Sequence, residues 1–198
     1  METLTLEDYY RAFDRVASSA RDKIFKLELL DSYDAKFERS LLNTFLKKRS
    51  ITKQEILSAG YEEYLSQVRL WKESRVTFTR VHVVSLPLSD YINYEIEYYK
   101  LAQEAGEHIF LIDREKFNEI PQPDGIEICD FVTIDDVTFL IRYEPMNSLR
   151  GGDLIGGMLI EEPDLVRKYK EFGSTVLAKS MSLDFFLREH SSVDELIS

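Results

Sequence analysis

The sequence has one cysteine, Cys129, and three histidines, and these two scarcities remove whole classes of chemistry. A lone thiol cannot close an internal disulfide, which fits a reducing cytoplasm. With no two histidines at ligand spacing, one thiol and three scattered imidazoles do not make a zinc site. No apolar run approaches the roughly 20 residues that a membrane helix needs. The N-terminal stretch METLTLEDYYRAFDR is acidic and amphipathic, so it is not read as a signal peptide. There is no Gly-x-Ser-x-Gly elbow, no Walker-type loop and no Gly-x-Gly-x-x-Gly after a strand. Internal repeats and low-complexity stretches are also missing. The expectation is a chain with no catalytic residue, no metal ligand and no cofactor.

Positive charge is scarce too. Lys and Arg number 25 against 36 Asp and Glu, a formal net charge of −11. Such a surface repels phosphate backbones and suits a basic protein partner. The partner expectation is therefore a protein, with no direct nucleic acid, no membrane and a homodimer as an option. Lys47, Lys48 and Arg49 form the one dense basic run, and it reads as the end of a helix complementing the helix dipole.

What is present is ordinary globular material: 198 residues, 44% hydrophobic and 12% aromatic, enough for one sizeable core. Residues 1–74 read as mainly helical, and 75–198 as alternating strand and helix within one compact domain. Thr5 and Thr52 each precede an acid three residues on, the signature of a capped helix start. Lys23 to Leu30 fits either a strand or a helix. Val76 to Ser85 is the clearest strand, followed by a helix capped by Ser89 and stopped by Gly106, then a second strand from Glu107 to Asp113. This β-α-β order predicts parallel strands with a right-handed crossover. Asp130 to Ile134 and Val137 to Tyr143 read as a hairpin closed at Asp135-Asp136. Gly151-Gly152 reads as a further turn, and Leu154 to Ile160 as a strand with a bulge at Gly156-Gly157. Pro163 opens the last long helix, and Leu183 to Arg188 a short amphipathic tail. The fold class is thus mixed α/β: helices packed on a mixed sheet of about five strands.

His82, His108 and His190 read as packed or solvated residues. Glu95 and Glu97, with Lys100, read as a solvated helix face. One segment draws the eye chemically, Ser85 to Tyr91. It joins the carboxyl end of a strand to the amino end of a helix, where open α/β sheets gather their ligands. Ser85, Ser89, Asp90 and Tyr91, with Arg114 past the second strand on the same edge, would suit an anion or another polar ligand.

The same segment carries a resemblance. Arg80-Val81-His82-Val83-Val84-Ser85-Leu86-Pro87-Leu88-Ser89-Asp90-Tyr91 resembles the R-V-R-V-V-S-E-P-L-S-D-Y signature of an uncharacterised bacterial domain family common in actinobacteria. Glu95, Ala105-Gly106-Glu107, Arg114, Asp130-Phe131 with Ile134-Asp135, Phe25-Lys26-Leu27-Glu28 and Asp31-Ser32-Tyr33 extend it over most of the chain. Leu86 replaces the family's acid. The resemblance adds Arg80 and Glu95 to the candidate ligand residues. It also implies a gene setting beside helix-turn-helix regulators. The order strand, helix, strand, hairpin, strand, helix is further similar to half of a phospholipase D-like fold. The stretch Phe139 to Tyr143 lacks the His-x-Lys of active members, which implies a catalytically inactive version.

Three functional expectations follow. The first is a cytoplasmic, non-enzymatic regulatory protein binding a protein partner such as a helix-turn-helix regulator. The second is a small-ligand sensor or unrecognised enzyme for a phosphorylated or nucleotide-like molecule, using Arg80, Ser85, Ser89, Asp90, Tyr91, Glu95 and Arg114. The third is a structural module that dimerises through its aromatic helices.

Overall fold

Lys23–Glu28 and Thr77–Val84 lie side by side as parallel strands, with Lys26 opposite Arg80 and Glu28 opposite His82. The computed structural model describes residues 2–33, 36, 38–147 and 149–194 and builds one mixed sheet around this pair. The strands are β1 (Glu2–Thr5), β2 (Lys23–Glu28), β3 (Ser32–Tyr33), β4 (Thr77–Val84), β5 (His108–Asp113), β6 (Phe131–Ile134), β7 (Val137–Asn147), β8 (Arg150–Ile160) and β9 (Met181–Ser182). The helices are α1 (Leu6–Ser18), α2 (Arg39–Lys48), α3 (Lys53–Ile56), α4 (Glu62–Glu73), α5 (Asp90–Ala105), α6 (Arg114–Asn118), α7 (Pro163–Lys179) and α8 (Leu183–Asp194), with a π-helical turn at Leu57–Tyr61 between α3 and α4.

The sheet order is β1-β8-β7-β6-β2-β4-β5-β9, and β3 pairs with β8. The β4-α5-β5 unit is parallel, as its sequence predicts, and β6-β7 is the expected hairpin. Among the described residues the sheet has 9 strands, not about five. The surplus is β2, whose sequence left strand and helix open, together with β1, β3 and β9. These are pieces of 4, 2 and 2 residues, too short for alternation to reveal. β2 comes from the region that reads as mainly helical, yet it sits between β4 and β6.

Local chemistry sets the helix ends. The Thr5 and Ser89 hydroxyls accept from the backbone N–H groups of Asp8 and Ile92, and Thr52 with Glu55 forms a full capping box. Arg49 ends α2 in the left-handed region and ion-pairs with Asp90, while Lys48 pairs with Glu55. α2 runs from Arg39 to Lys48, with Leu41 and Phe45 buried.

The Gly151-Gly152 turn is corrected: both residues lie inside β8, paired with β7. A Cβ on Gly151 would come within 2.8 Å of Leu30 Cδ1, so what the backbone needs there is close approach. The bulge reading holds. Arg142 pairs with Gly156 and Tyr143 with Leu154, which leaves Ile155 unpaired.

Strand alternation divides the core. Phe25, Leu27, Val81, Val83, Phe131 and Leu140 meet Phe117 of α6 and Tyr169, Phe172 and Val176 of α7 on one face. Ile24, Phe78, Val84, Ile109, Val132 and Phe139 meet Tyr9, Phe45, Leu65, Trp71, Ile92 and Phe186 on the other. On this second face Lys26, Glu28, Arg80 and His82 take positions that the alternation assigns to the core. α5 lies against them and buries most of its circumference, from Tyr91 through Tyr99 to Ala105. Among the described residues no helix is long and apolar enough to cross a membrane.

Candidate functional site

The residues singled out at the sheet edge divide into two groups. The first closes on itself. Asp31 accepts from the Ser85 backbone N–H (3.0 Å), the Ser85 hydroxyl (2.6 Å) and Arg114 Nη2 (3.0 Å). Arg114 Nε donates to Ser85 Oγ at 2.9 Å, and its Nη2 also donates to the carbonyls of Leu29 (2.6 Å) and Val83 (3.2 Å). Ser89 caps α5 and donates to the Asp31 carbonyl at 3.2 Å. Arg114 already has its counter-charge in Asp31, so this cluster is a clasp that ties the segment after β2 to the ends of β4 and β5. Asp90 is exposed and turned to Arg49.

The second group surrounds a cavity. Arg80, Tyr91 and Glu95 line a space of about 870 Å³ between the sheet and the N-terminal helices. Lys26, Glu28, Tyr33 and Tyr143 line it from the strands. Glu38, Tyr61 and Tyr64 line it from the helical region, and Tyr98 from α5. Tyr10 raises the tyrosines on its wall to seven. Glu144, the half-exposed Leu6 and Ile155, and Lys36, which pairs with Asp153 at 2.7 Å, also line it.

The floor of this cavity is an ion-pair network. Arg80, only 4% exposed, donates through Nε to Glu107 (2.6 Å), through Nη1 to Glu28 (3.1 Å) and through Nη2 to the Tyr64 hydroxyl (2.8 Å). Its guanidinium also lies 5.2 Å from the centre of the Tyr99 ring. Lys26 Nζ meets Glu28 Oε1 at 2.6 Å. Burial alone would raise the Glu28 pKa, but Arg80 and Lys26 hold it well below the usual carboxylate range.

His82 lies beneath, wholly buried. Its Nε2 faces the Leu30 carbonyl at 2.7 Å, which can only accept, so Nε2 carries the proton. Burial lowers the His82 pKa and keeps the ring neutral. Its Nδ1 therefore accepts from the Tyr99 hydroxyl at 2.6 Å. The same hydroxyl also lies 3.2 Å from Glu28 Oε2, and the shorter contact to His82 takes the single proton of Tyr99.

Two acids stand apart from the network. Glu38 accepts from the hydroxyls of Tyr91 (2.8 Å) and Tyr61 (3.1 Å), and burial raises its pKa. Glu95 is 4% exposed, and burial first, then the charges of Glu38 and Glu28, push its pKa up to about 8. Among the described residues neither Glu38 nor Glu95 is within ion-pair distance of a Lys or Arg. Lys26 and Arg80 thus answer Glu28 and Glu107, Lys36 answers Asp153, and among the described wall residues the carboxyls of Glu38, Glu95 and the exposed Glu144 are left over. Farther along the same face, burial pushes Asp130 up to about 7 despite the hydroxyl that Tyr33 donates to it.

The expected solvated helix face holds for Glu97 and Lys100, which pair at 2.6 Å, and fails for Glu95. Lys26, Glu28 and Tyr33 were quoted only within the resemblance and, like Glu38 and the other tyrosines apart from Tyr91, were not read as site residues. Among the described residues no group of three His, Cys, Asp or Glu side chains is arranged to hold a metal ion. Burial pushes the Cys129 thiol up to about 12, far from a thiolate nucleophile.

The model of a family described as "Domain of unknown function (DUF6879)" matches residues 11–188. No curated protein matches the chain. A similar solved structure is described as "Structure of TrmBL2, an archaeal chromatin protein, shows a novel mode of DNA binding", at 11% identity and a TM-score of 0.42 over 89% of this chain and 52% of that one. The chain thus spans about half the length of that protein. The partner expectation of a protein and no nucleic acid is corrected here. The structure found similar is that of a protein described as an archaeal chromatin protein with a novel mode of DNA binding. A likeness this weak carries no argument about what this chain itself binds.

Proposed function

We propose, from the premise that the chain belongs to the DUF6879 family of domains of unknown function, that it is a non-enzymatic small-ligand sensor acting in the cytoplasm. One observation carries this reading: the cavity of about 870 Å³ lined by seven tyrosines and charged side chains. It falls in the range of small-molecule sites, roughly 300 to 1,000 Å³. A domain of this size would otherwise fill such a space with apolar side chains. The lining supports binding over turnover, because among the described residues Arg80 and Lys26 are held in fixed ion pairs and His82, the one imidazole near the cavity, is buried and neutral. The regulatory role rests on the coupling that the cavity offers. A ligand there would touch α5, β2, β4 and the π-helical turn together.

The test is ligand-observed NMR of the full chain against a mixed library of amines, alcohols, carboxylates, phosphates and sugars. The Ala59→Trp variant, which narrows the cavity, serves as control. Binding by the wild type that the variant loses supports the reading. A library in which nothing binds the folded wild type contradicts it.

A further inference from the structure

We infer that the ligand of the tyrosine-lined cavity is an organic cation, a protonated amine on an aromatic or apolar body, held between Glu38 and Glu95. The inference rests on the cavity being a ligand site and names the class it takes.

The charges inside the cavity require it. Among the described residues Arg80 and Lys26 are occupied by Glu28 and Glu107 and Lys36 by Asp153, so a phosphate or carboxylate entering the space meets cations that already hold a carboxylate and faces the further acids Glu38, Glu95 and Glu144. Burying an anion beside them costs far more than any contact with the rings returns. A protonated amine meets the reverse situation. Its N–H groups find two carboxyls that the described residues leave without a cation, and its charge lies among tyrosine rings, whose faces attract it. Glu95 is almost wholly buried and lines the cavity, and the proton of the neighbouring Tyr99 hydroxyl is engaged by His82. Its second acid, Glu38, is held from behind by Tyr61 and Tyr91, which donate to its two oxygens. These bonds fix the carboxylate in place and still allow it to accept from a ligand.

Proton accounting gives a signature that a merely structural role would not produce. In the empty cavity Glu95 holds its proton at neutral pH, since burial first, and then the charges of Glu38 and Glu28, disfavour its carboxylate. Lys26 is tied to Glu28, His82 is neutral, and the surrounding tyrosines stay protonated because burial raises their pKa values. An incoming ammonium stabilises the Glu95 carboxylate, so the amine enters as a cation and the proton of Glu95 leaves.

Calorimetric titration of the full chain with benzylamine, benzyl alcohol and benzoate, three probes that share one body, tests this. The expected result is an amine that binds about tenfold tighter than the alcohol, with benzoate weakest. The measured enthalpy should vary between buffers in the manner of proton release at pH 7. Glu95→Gln should abolish the proton release and much of the preference, and Glu38→Gln should weaken amine binding and reduce the release, because the charge that opposes the Glu95 carboxylate is gone. Equal or better binding of the alcohol or the benzoate overturns the cation assignment and leaves the cavity a ligand site. If none of the three binds, the assignment falls alone when the mixed library still finds a cavity ligand, and together with the sensor reading when it does not.

Discussion

Arg80 Nε reaches Glu107 at 2.6 Å while the same guanidinium turns its Nη1 to Glu28 at 3.1 Å, so one buried cation answers acids on two strands' ends. Arg80→Met therefore strands two carboxylates. Removing one partner of a buried network costs about 3 to 5 kcal/mol. Arg80→Lys should recover only part of this, because an ammonium is a point donor and cannot span Glu107, Glu28 and Tyr64 in a plane. Urea unfolding at pH 7 measures both, and a loss below about 1 kcal/mol for Arg80→Met would show the network to be dispensable.

The raised acids give stability a sign with pH. Folded Glu95 titrates near 8, while in the unfolded chain it returns toward the ordinary carboxylate value of 4.5, so the folded state binds more protons between those values. Stability therefore falls as pH rises from about 5 to 8, and Asp130, pushed up to about 7, adds to the same trend. His82 acts oppositely. Its lowered folded pKa gives stability that is present above its unfolded value of 6.5 and lost as pH falls below it. Glu95→Gln should flatten the alkaline side, and its gain over wild type should grow from pH 5 to pH 8. Unfolding curves that run parallel across that range would contradict the placement of Glu95.

The Asp31 clasp should behave as structure and not as an anion site. Arg114→Met removes donors to Asp31, Ser85 and two carbonyls and should cost about 2 to 3 kcal/mol. Inorganic phosphate should protect neither protein against heat beyond its ordinary salt effect. Specific stabilisation of the wild type by phosphate, lost in Arg114→Met, would restore the anion reading of Ser85, Ser89 and Arg114.

Gly60 sits in the π-helical turn on the cavity wall at φ = +100°, with nothing within 4 Å of the place a Cβ would take. Its backbone alone asks for glycine. Gly60→Ala should cost about 1 to 2 kcal/mol from left-handed strain and weaken ligand binding by disturbing Tyr61. A neutral thermal melt would mean the turn relaxes to ordinary helix.

The signals that the sequence carried plainly were local ones. A cap involves residues three apart, so Thr5, Thr52 with Glu55, and Ser89 could be read from composition alone, and Gly106 marked the end of α5 for the same reason. Asp135 read as turn chemistry. The turn is there, but its carboxylate also accepts from the backbone of Arg21, Asp22 and Lys23, a contact more than 100 residues away that no local pattern announces. β3 exists only because Ser32 and Tyr33 meet β8.

The site was legible in part. Arg80 and Glu95 were candidates by resemblance and Tyr91 by the edge argument, but that argument also put Ser85, Ser89 and Arg114 with them, because sequence gives the end of a strand and not the direction of a side chain. The missed signal was charge at core positions: Lys26 and Glu28 share a face with Ile24, and Arg80 and His82 with Phe78 and Val84. Tyr91, Tyr94, Glu95, Tyr98 and Tyr99 repeat at helical spacing opposite them. Two adjacent strands that carry charge inward, under a helix that carries tyrosine inward, mark a polar cavity.

The most direct measurement is native mass spectrometry of the full chain purified from its own host, beside its denatured mass. The account predicts a non-covalent small molecule, absent from the denatured spectrum, lost in Ala59→Trp, and basic when released and identified. A wild-type chain that carries no added mass, and that no library compound binds, would contradict the cavity as the seat of function.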